Sequence, residues 1–548
     1  MSQKTMLKQA FILTSGNIIS RFLGLIYVFP FAWLVGQEGQ ALFSYAYVPY
    51  VIFIDLATLG IPLGVSKFVS IYNAQNDYET SYKIFKKASI LMLIIGIIMF
   101  VIMFLLSKPI AYQVLGGQSK LINNVNDVTL VIRFISSALI IVPSIAILRG
   151  FFQGFKLARP SALSQIIEQF TRVLFILVSA FIIVKVLKLN YTYAIFFAVL
   201  SATIAALSAY ILLRVQLHTF FRKLKPLLKL SVKSHNKTTK QLFVELFKYA
   251  IPIAMVGLAT SLYIFIDTLT FNKGYLLKGD NLSEIIYGTY AFEINKLIMI
   301  PVSLGMGLAV SLLIYISEAF TKKDYNSINN HIYKALQTCS FIILPIVVLM
   351  MIFPKAVYSL FYQANNIYGP QILLSFAPLA IILSFGHIIN SVMQGINRQR
   401  FLMISLVIGV SLKYLYNEYL ISKMGFNGAI LATSICILIS LIINLFEIIK
   451  TTKFSHFYIV RRLVIIFTLN VLIGAILYLL NFTILKINLD YLDRFNCFVF
   501  LLINTGLYLF IYFTISYVTG LLDIILGKEF KLRKLITLLR NKYVINIF

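Results

Sequence analysis

The sequence predicts an all-α polytopic membrane protein of about 14 transmembrane helices, two six-helix lobes in parallel repeat followed by two further helices. Three observations carry that prediction. Of 548 residues, 60% are hydrophobic and 12% charged, more apolar surface than a water-soluble core can hide. Lysine and arginine gather in alternate loops, and short motifs of the first half return in the second.

Stretches apolar enough to cross the roughly 30 Å hydrocarbon layer have cores at 10–35, 43–66, 88–107, 127–148, 162–185, 191–214, 246–270, 285–316, 334–353, 368–392, 402–421, 427–449, 463–482 and 497–519. The first begins on Lys4 and Lys8 like a secretory signal. Arg21 in its middle and the lack of a small-x-small exit read it instead as an uncleaved span. Cations follow every even span: Lys83, Lys86 and Lys87 after the second, Arg149, Lys156 and Arg159 after the fourth, and Arg222, Lys223, Lys225, Lys229, Lys233, Lys237 and Lys240 after the sixth. Lys322 and Lys323, Arg398 and Arg400, then Lys450, Lys453, Arg461 and Arg462 continue the pattern, which Lys528, Lys531, Arg533, Lys534, Arg540 and Lys542 close. Loops of the other face, such as Gly36-Gln37-Glu38-Gly39-Gln40, are poor in cations. This positive-inside bias puts both termini in the cytoplasm and accounts for the net charge of +29 without nucleic acid as a partner. Cys339, Cys436 and Cys497 fall within spans at spacings of neither a metal site nor a disulfide framework.

Gln153-Gly154 with Arg159 reappears as Gln394-Gly395 with Arg400, at an offset of 395 − 154 = 241. Asp77-Tyr78 with Lys87-Ala88 reappears as Asp324-Tyr325 with Lys334-Ala335, at 324 − 77 = 247, and Tyr45-Ala46 echoes Tyr290-Ala291. Each unit holds an even number of spans, so both enter the membrane in the same sense, the plan of a parallel-repeat transporter with its site between the halves. The expected division is 1–217 for the first lobe, 218–241 for a basic linker, 242–450 for the second lobe, 451–520 for two additional helices and 521–548 for a basic amphipathic tail. Linker and tail are candidate anchors on anionic membrane lipids.

Arg21 lies near mid-bilayer, where a charge costs ~3 kcal/mol or more unless it faces protein or water. Gly16, Ser20 and Gly24 beside it follow small-xxx-small spacing, which lets another helix approach. Arg21 is a candidate for an anionic cargo, with Asp55 of the second span as its structural alternative partner. Lys296 sits mid-span before Pro301, Gly305 and Gly307, where bending is expected; its alternative partners are Glu293 and Asp267. Arg172 has Glu168 four residues before it, the favourable order for a helical ion pair. Lys413, near Glu418, and Lys67, placed to snorkel at the cytoplasmic edge, complete the candidate binding set with Asp55. Arg133 lies toward the outer side of the fourth span, and His387 reads as an interior histidine. Arginine and lysine suit phosphate oxygens, by planar donors and by point charge respectively. Gly527-Lys528 has Leu522 where a P-loop needs glycine, and no His-Glu-x-x-His, Cys-x-x-Cys pair or nucleophile elbow occurs. Neither an enzyme nor a cofactor is expected.

Ser20-Arg21-Phe22-Leu23-Gly24, the run Leu59 to Lys67, Arg149-Gly150-Phe151-Phe152-Gln153-Gly154 with Arg159-Pro160, and Asn295-Lys296-Leu297 with Pro301 resemble the oligosaccharidyl-lipid flippases. The likeness is strongest to the branch of MurJ-type lipid II flippases and sporulation protein B-like transporters, and covers nearly the whole chain. It implies a MATE-like fold in a bacterial cell membrane, alternating access, and outward movement of an undecaprenyl-pyrophosphate-linked cell-wall precursor, with wall-synthesis enzymes as further partners. Arg21 matches the family's cavity arginine of the first span, and Lys296 stands where the eighth span carries another. The last two helices correspond to the family's lipid-tail groove. The chain departs from the pattern at Tyr27, where many members have a second arginine, and near Ile52 and Phe53, where they have a pair.

Three other functions compete: export of another lipid-linked polysaccharide or teichoic-type unit, multidrug cation antiport, and a transport-inactive scaffold for wall synthesis. Antiport calls for unpaired interior carboxylates, for which Asp55, Asp267 and Glu293 are candidates. The scaffold role predicts that loss of Arg21 and Lys296 is harmless.

Overall fold

The structure, a computed structural model, describes residues 12, 15–16, 19–58, 60–119, 121–232, 238–280, 282–453, 457–485, 489–519 and 521–522. Lys4, Lys8, Lys233, Lys237 and the basic tail from residue 523 lie outside the described residues. The protein is an all-α polytopic membrane protein. Among the described residues, 11 helices are long and apolar enough to cross a membrane, or 12 if the bent pair Tyr368–Phe376 and Leu379–Gly395 is one span.

Helices run in the order α1 (19–26), α2 (Val28–Thr58), α3 (Ile61–Ala74), α4 (Tyr78–Leu105), α5 (Ser107–Val114), α6 (Val125–Ser136), α7 (Val142–Gly154), α8 (Ala158–Phe181), α9 (Tyr191–Lys229) and α10 (Thr239–Lys278). There follow α11 (Ser283–Gly288), α12 (Asn295–Thr321), α13 (Tyr325–Ile352), α14 (Pro354–Phe361), α15 (Tyr368–Phe376), α16 (Leu379–Gly395), α17 (Gln399–Met424), α18 (Phe426–Thr452), α19 (Phe457–Tyr478) and α20 (Arg494–Val518).

Local chemistry sets the breaks. Gly36 adopts φ 67°, kinking α2, and Gly60 adopts φ 66° between α2 and α3, with Pro62 in the first turn that follows. Asp77 caps α4 by accepting from the Thr80 amide at 3.1 Å, and Asp324 caps α13 by accepting from the Ser327 amide. A π-helical turn, Thr289–Ile294, ends two residues before Lys296, and Pro301 lies inside α12.

The chain forms two compact units. The first comprises residues up to Lys296 and Gln399–Ser440; the second comprises Leu297–Arg398 and residues from Leu441 onward. In the first, α3, α4, α7, α9 and the start of α10 share a core of Ile61, Val65, Phe85, Phe151, Leu213 and Leu246. Here α1 lies against α8 through the expected small-residue stripe. A Cβ on Gly16 would meet that of Ala162 at 2.7 Å, Ser20 donates to the Gln165 carbonyl at 3.4 Å, and a Cβ on Gly24 would meet Gln169 at 2.9 Å. In the second unit, α19 and α20 pack on α13, burying Ile466, Ile473, Tyr508 and Tyr512 with Phe341 and Val348. Asn481 donates to Asn504 at 2.7 Å and Tyr508 to Asn470 at 2.7 Å, so these four buried polar groups are paired within the added helices.

The internal repeat is written into the backbone. Asn76 and Lys323 take φ 60° and 56°, and the amides after them donate to Tyr72 and Ala319 carbonyls at 2.9 and 3.0 Å. Lys156 and Asn397 take φ 59° and 57°, with Leu157 and Arg398 amides on Phe152 and Met393 carbonyls, both at 2.9 Å. Both pairs keep the offsets of 247 and 241 found in the sequence. A Cβ on Gly154 would meet Val69 at 2.6 Å, and one on Gly395 would meet Ile316 at 2.6 Å, so the same close approach of helices occurs once in each unit.

Candidate functional site

Charged and aromatic groups of α2, α7, α8 and the start of α12 lie together in the first unit. Glu168 of α8 accepts from two guanidinium groups: its Oε2 from Arg149 at 2.8 Å and its Oε1 from Arg172 at 3.0 Å. One carboxylate shared by two arginines leaves the trio with net positive charge. Arg172 interacts electrostatically with Tyr27, Tyr47 and Tyr50 as well as Glu168. Tyr47, stacked on Phe43 with ring centroids 5.3 Å apart, has the Lys296 ammonium 6.0 Å from its centroid. No carboxylate pairs with Lys296 among the described residues, so its charge is held by an aromatic face alone. Arg21 is exposed on α1, and no described residue neutralises it.

Two of the alternative partners foreseen for these cations, Asp55 and Asp267, are engaged elsewhere. Asp55 accepts from Ser261 at 2.7 Å and makes no described contact with Arg21. Asp267 is bound to Lys413 at 2.7 Å, and also accepts from Tyr290 at 2.9 Å and Asn417 at 3.0 Å. Lys413 is fully buried and donates further to the Tyr263 carbonyl and the Thr433 hydroxyl, each at 2.7 Å. Its ammonium would have to break these three contacts to reach a cargo. Glu418, its neighbour in sequence, instead pairs with Lys273 at 2.9 Å. Lys67 is exposed on α3, and His387 is half-buried on α16. Arg133 donates to Ser107 at 3.0 Å and covers the Phe104 ring.

Glu284 had no place among the candidates. Its side chain is fully buried at the start of α11, and Oε2 accepts from the Ile122 and Asn123 amides at 2.6 and 2.8 Å, with Oε1 on the Asn123 side chain at 3.2 Å. Around it, Tyr45 stacks on Tyr287 at 5.0 Å and Asn272 bridges the Tyr45 hydroxyl and the Val114 carbonyl. This seam joins α2, α10, α11 and residues 122–123 by hydrogen bonds, without a cation among the described residues. Glu168's second arginine and the tyrosines of α2 were likewise not singled out. An aromatic in an apolar run carries no local sign that separates a site residue from core.

Two family models match the chain: one for polysaccharide biosynthesis proteins over residues 6–306, and the MatE model over residues 252–420. The Lipid II flippase MurJ of Bacillus subtilis (strain 168) is 36% identical over 534 residues, covering 96% of this chain and 98% of that protein. The chain belongs to the MurJ/MATE-like family of polysaccharide biosynthesis transporters. A solved structure of a lipid II flippase MurJ in an inward closed conformation superposes with a TM-score of 0.65 at 16% identity, covering 93% of this chain and 100% of that one. An inward-facing MATE multidrug transporter gives 0.61 at 14%, covering 81% and 98%. The fold is therefore MATE-like. As a member of this family the chain is a multi-pass bacterial membrane protein and a non-catalytic translocase of the alternating-access type.

Proposed function

We propose that this transporter is a flippase moving an undecaprenyl-pyrophosphate-linked cell-wall precursor, lipid II, from the inner to the outer leaflet through a cationic chamber. The observation that carries this reading is Lys296, an ammonium within a membrane span that has no carboxylate beside it among the described residues and lies 6.0 Å from the Tyr47 ring. The relationship to a lipid II flippase over nearly the full chain supports the choice of cargo.

In this mechanism Arg21 and Lys296 take the phosphates, Arg172 stands in reserve on Glu168, and rearrangement of the lobes weakens the grip. Asp55 and Lys67 lie along the path, whereas Lys413 acts by holding α10, α17 and α18 together. A negative interior favours outward movement of an uncompensated anion by ~2.3 kcal/mol per charge per 100 mV. Both termini are read as cytoplasmic from the loop charges. Fourteen crossings remain the best count: Ile19–Ala74 is 56 residues long, about twice what one crossing needs, and Thr239–Lys278 contains the expected seventh. The duplicated turns support a division into lobes 1–217 and 242–450.

Depletion of the protein, followed by measurement of which lipid-linked precursor builds up on the inner leaflet, tests the function. Lipid II is expected. A teichoic-type or other polysaccharide precursor would transfer the function to that cargo, and no accumulation would reject translocation. Antiport of lipophilic cations is disfavoured, because Asp267, a carboxylate it would need, is neutralised by Lys413.

A further inference from the structure

We infer that the Tyr50 hydroxyl and the Nε–H of Arg172 form a donor pair for an oxygen of the translocated pyrophosphate, an assignment that rests on the function proposed above. Tyr50 is only 2% exposed, and among the described residues its hydroxyl has no hydrogen-bond partner. Nε of Arg172 is also buried and unpartnered, although the same guanidinium holds Glu168 through Nη2. Tyr50 packs beside Tyr47 with ring centroids 6.0 Å apart, and Arg172 interacts electrostatically with both tyrosines.

Protein interiors rarely leave such groups unmatched, because a buried donor without an acceptor forfeits its water and receives nothing in return. Glu168 accepts from Arg149 and from Nη2 of Arg172 but from neither the Tyr50 hydroxyl nor Nε of Arg172. Through Tyr47 the idle pair adjoins Lys296. The group is therefore built of a phenolic O–H, a guanidinium N–H and an ammonium, with positive charge in excess. A partner rich in acceptors and without donors completes it. Phosphate oxygens meet that description, and a sugar hydroxyl, which brings a proton of its own, meets it less well.

Tyr50→Phe separates a ligand contact from a structural one, because it deletes only an oxygen that has nothing to lose in the ligand-free protein. The full chain in lipid nanodiscs, titrated with undecaprenyl pyrophosphate and with undecaprenol, provides the measurement. Tyr50→Phe should weaken undecaprenyl pyrophosphate about tenfold, as expected for a hydrogen bond to a charged group. Undecaprenol binding should be unaltered, and the ligand-free Tm equal to or above wild type. Arg172→Lys, which keeps the charge but removes the Nε donor, should lose a similar factor. Wild-type pyrophosphate affinity in Tyr50→Phe overturns the inference and leaves the flippase function standing. An equal loss for undecaprenol, or a lowered ligand-free Tm, also overturns it. Failure of the wild-type protein to prefer the pyrophosphate would overturn both.

Discussion

Lys413 and Asp267 meet at 2.7 Å with side chains 0% and 5% exposed, a buried ion pair between α17 and α10. Removing one member strands the other charge, which costs about 3–5 kcal/mol, whereas replacing both by apolar groups removes the desolvation burden together with the attraction. Lys413→Met should therefore lower the thermal midpoint of the purified protein sharply. The double variant Lys413→Met/Asp267→Leu should recover much of the loss. A double variant no better than the single one would show that Tyr290 and Asn417 need the carboxylate for themselves.

Lys296 differs in kind, since among the described residues its charge rests on Tyr47 and on no carboxylate. Lys296→Ala should reduce outer-leaflet appearance of lipid II at least tenfold, a factor that corresponds to about 1.4 kcal/mol. Lys296→Arg should retain most of it, and expression of both should match wild type. Arg21→Ala is expected to behave as Lys296→Ala does. Full activity of both alanine variants would favour the scaffold role.

Glu284→Gln removes the charge that accepts from the Ile122 and Asn123 amides and sets an N–H group against the Asn123 side-chain donor. A lost hydrogen bond to a buried charged group removes about 1.5–3 kcal/mol. Hydrogen exchange at the Ile122 and Asn123 amides should accelerate by one to two orders of magnitude, while the core of α3, α4 and α7 stays protected. Unchanged exchange there would mean that the seam around Tyr45 and Tyr287 holds the segment without the carboxylate.

Gly36 and Gly60 share a positive φ but differ in their surroundings. A Cβ on Gly36 meets nothing within 4 Å, while one on Gly60 would lie 2.6 Å from the Ala250 carbonyl oxygen. Gly36→Ala should cost about 1–3 kcal/mol, the strain of the backbone conformation alone. Gly60→Ala should cost distinctly more. Equal losses in thermal unfolding would rule out the close approach of α3 and α10.

Features governed by near neighbours were legible in the sequence. The stripe of Gly16, Ser20 and Gly24 could be read because helical period alone places those residues on one side. The pair of Glu168 and Arg172 was visible for the same reason, and the repeat showed in motifs at helix ends. What escaped depended on distant parts of the chain. Lys413 takes a carbonyl 150 positions away, and Glu284 binds amides 162 and 161 positions away. No spacing rule reports such meetings. Asp55, expected beside Arg21, found a hydroxyl 206 positions on. Tyr50 reads as one more aromatic among apolar neighbours until its idle hydroxyl is seen.

The bends shared by Asn76 with Lys323, and by Lys156 with Asn397, persist although the side chains at them have changed. Duplicated joints of this sort divide labour between mechanics and electricity. The elbows stay common to both copies, leaving the straight segments between them free to diverge in polarity. An ancestral doubled protein could in this way gain a lopsided field, as with the arginines of α7 and α8, and still flex as it did before.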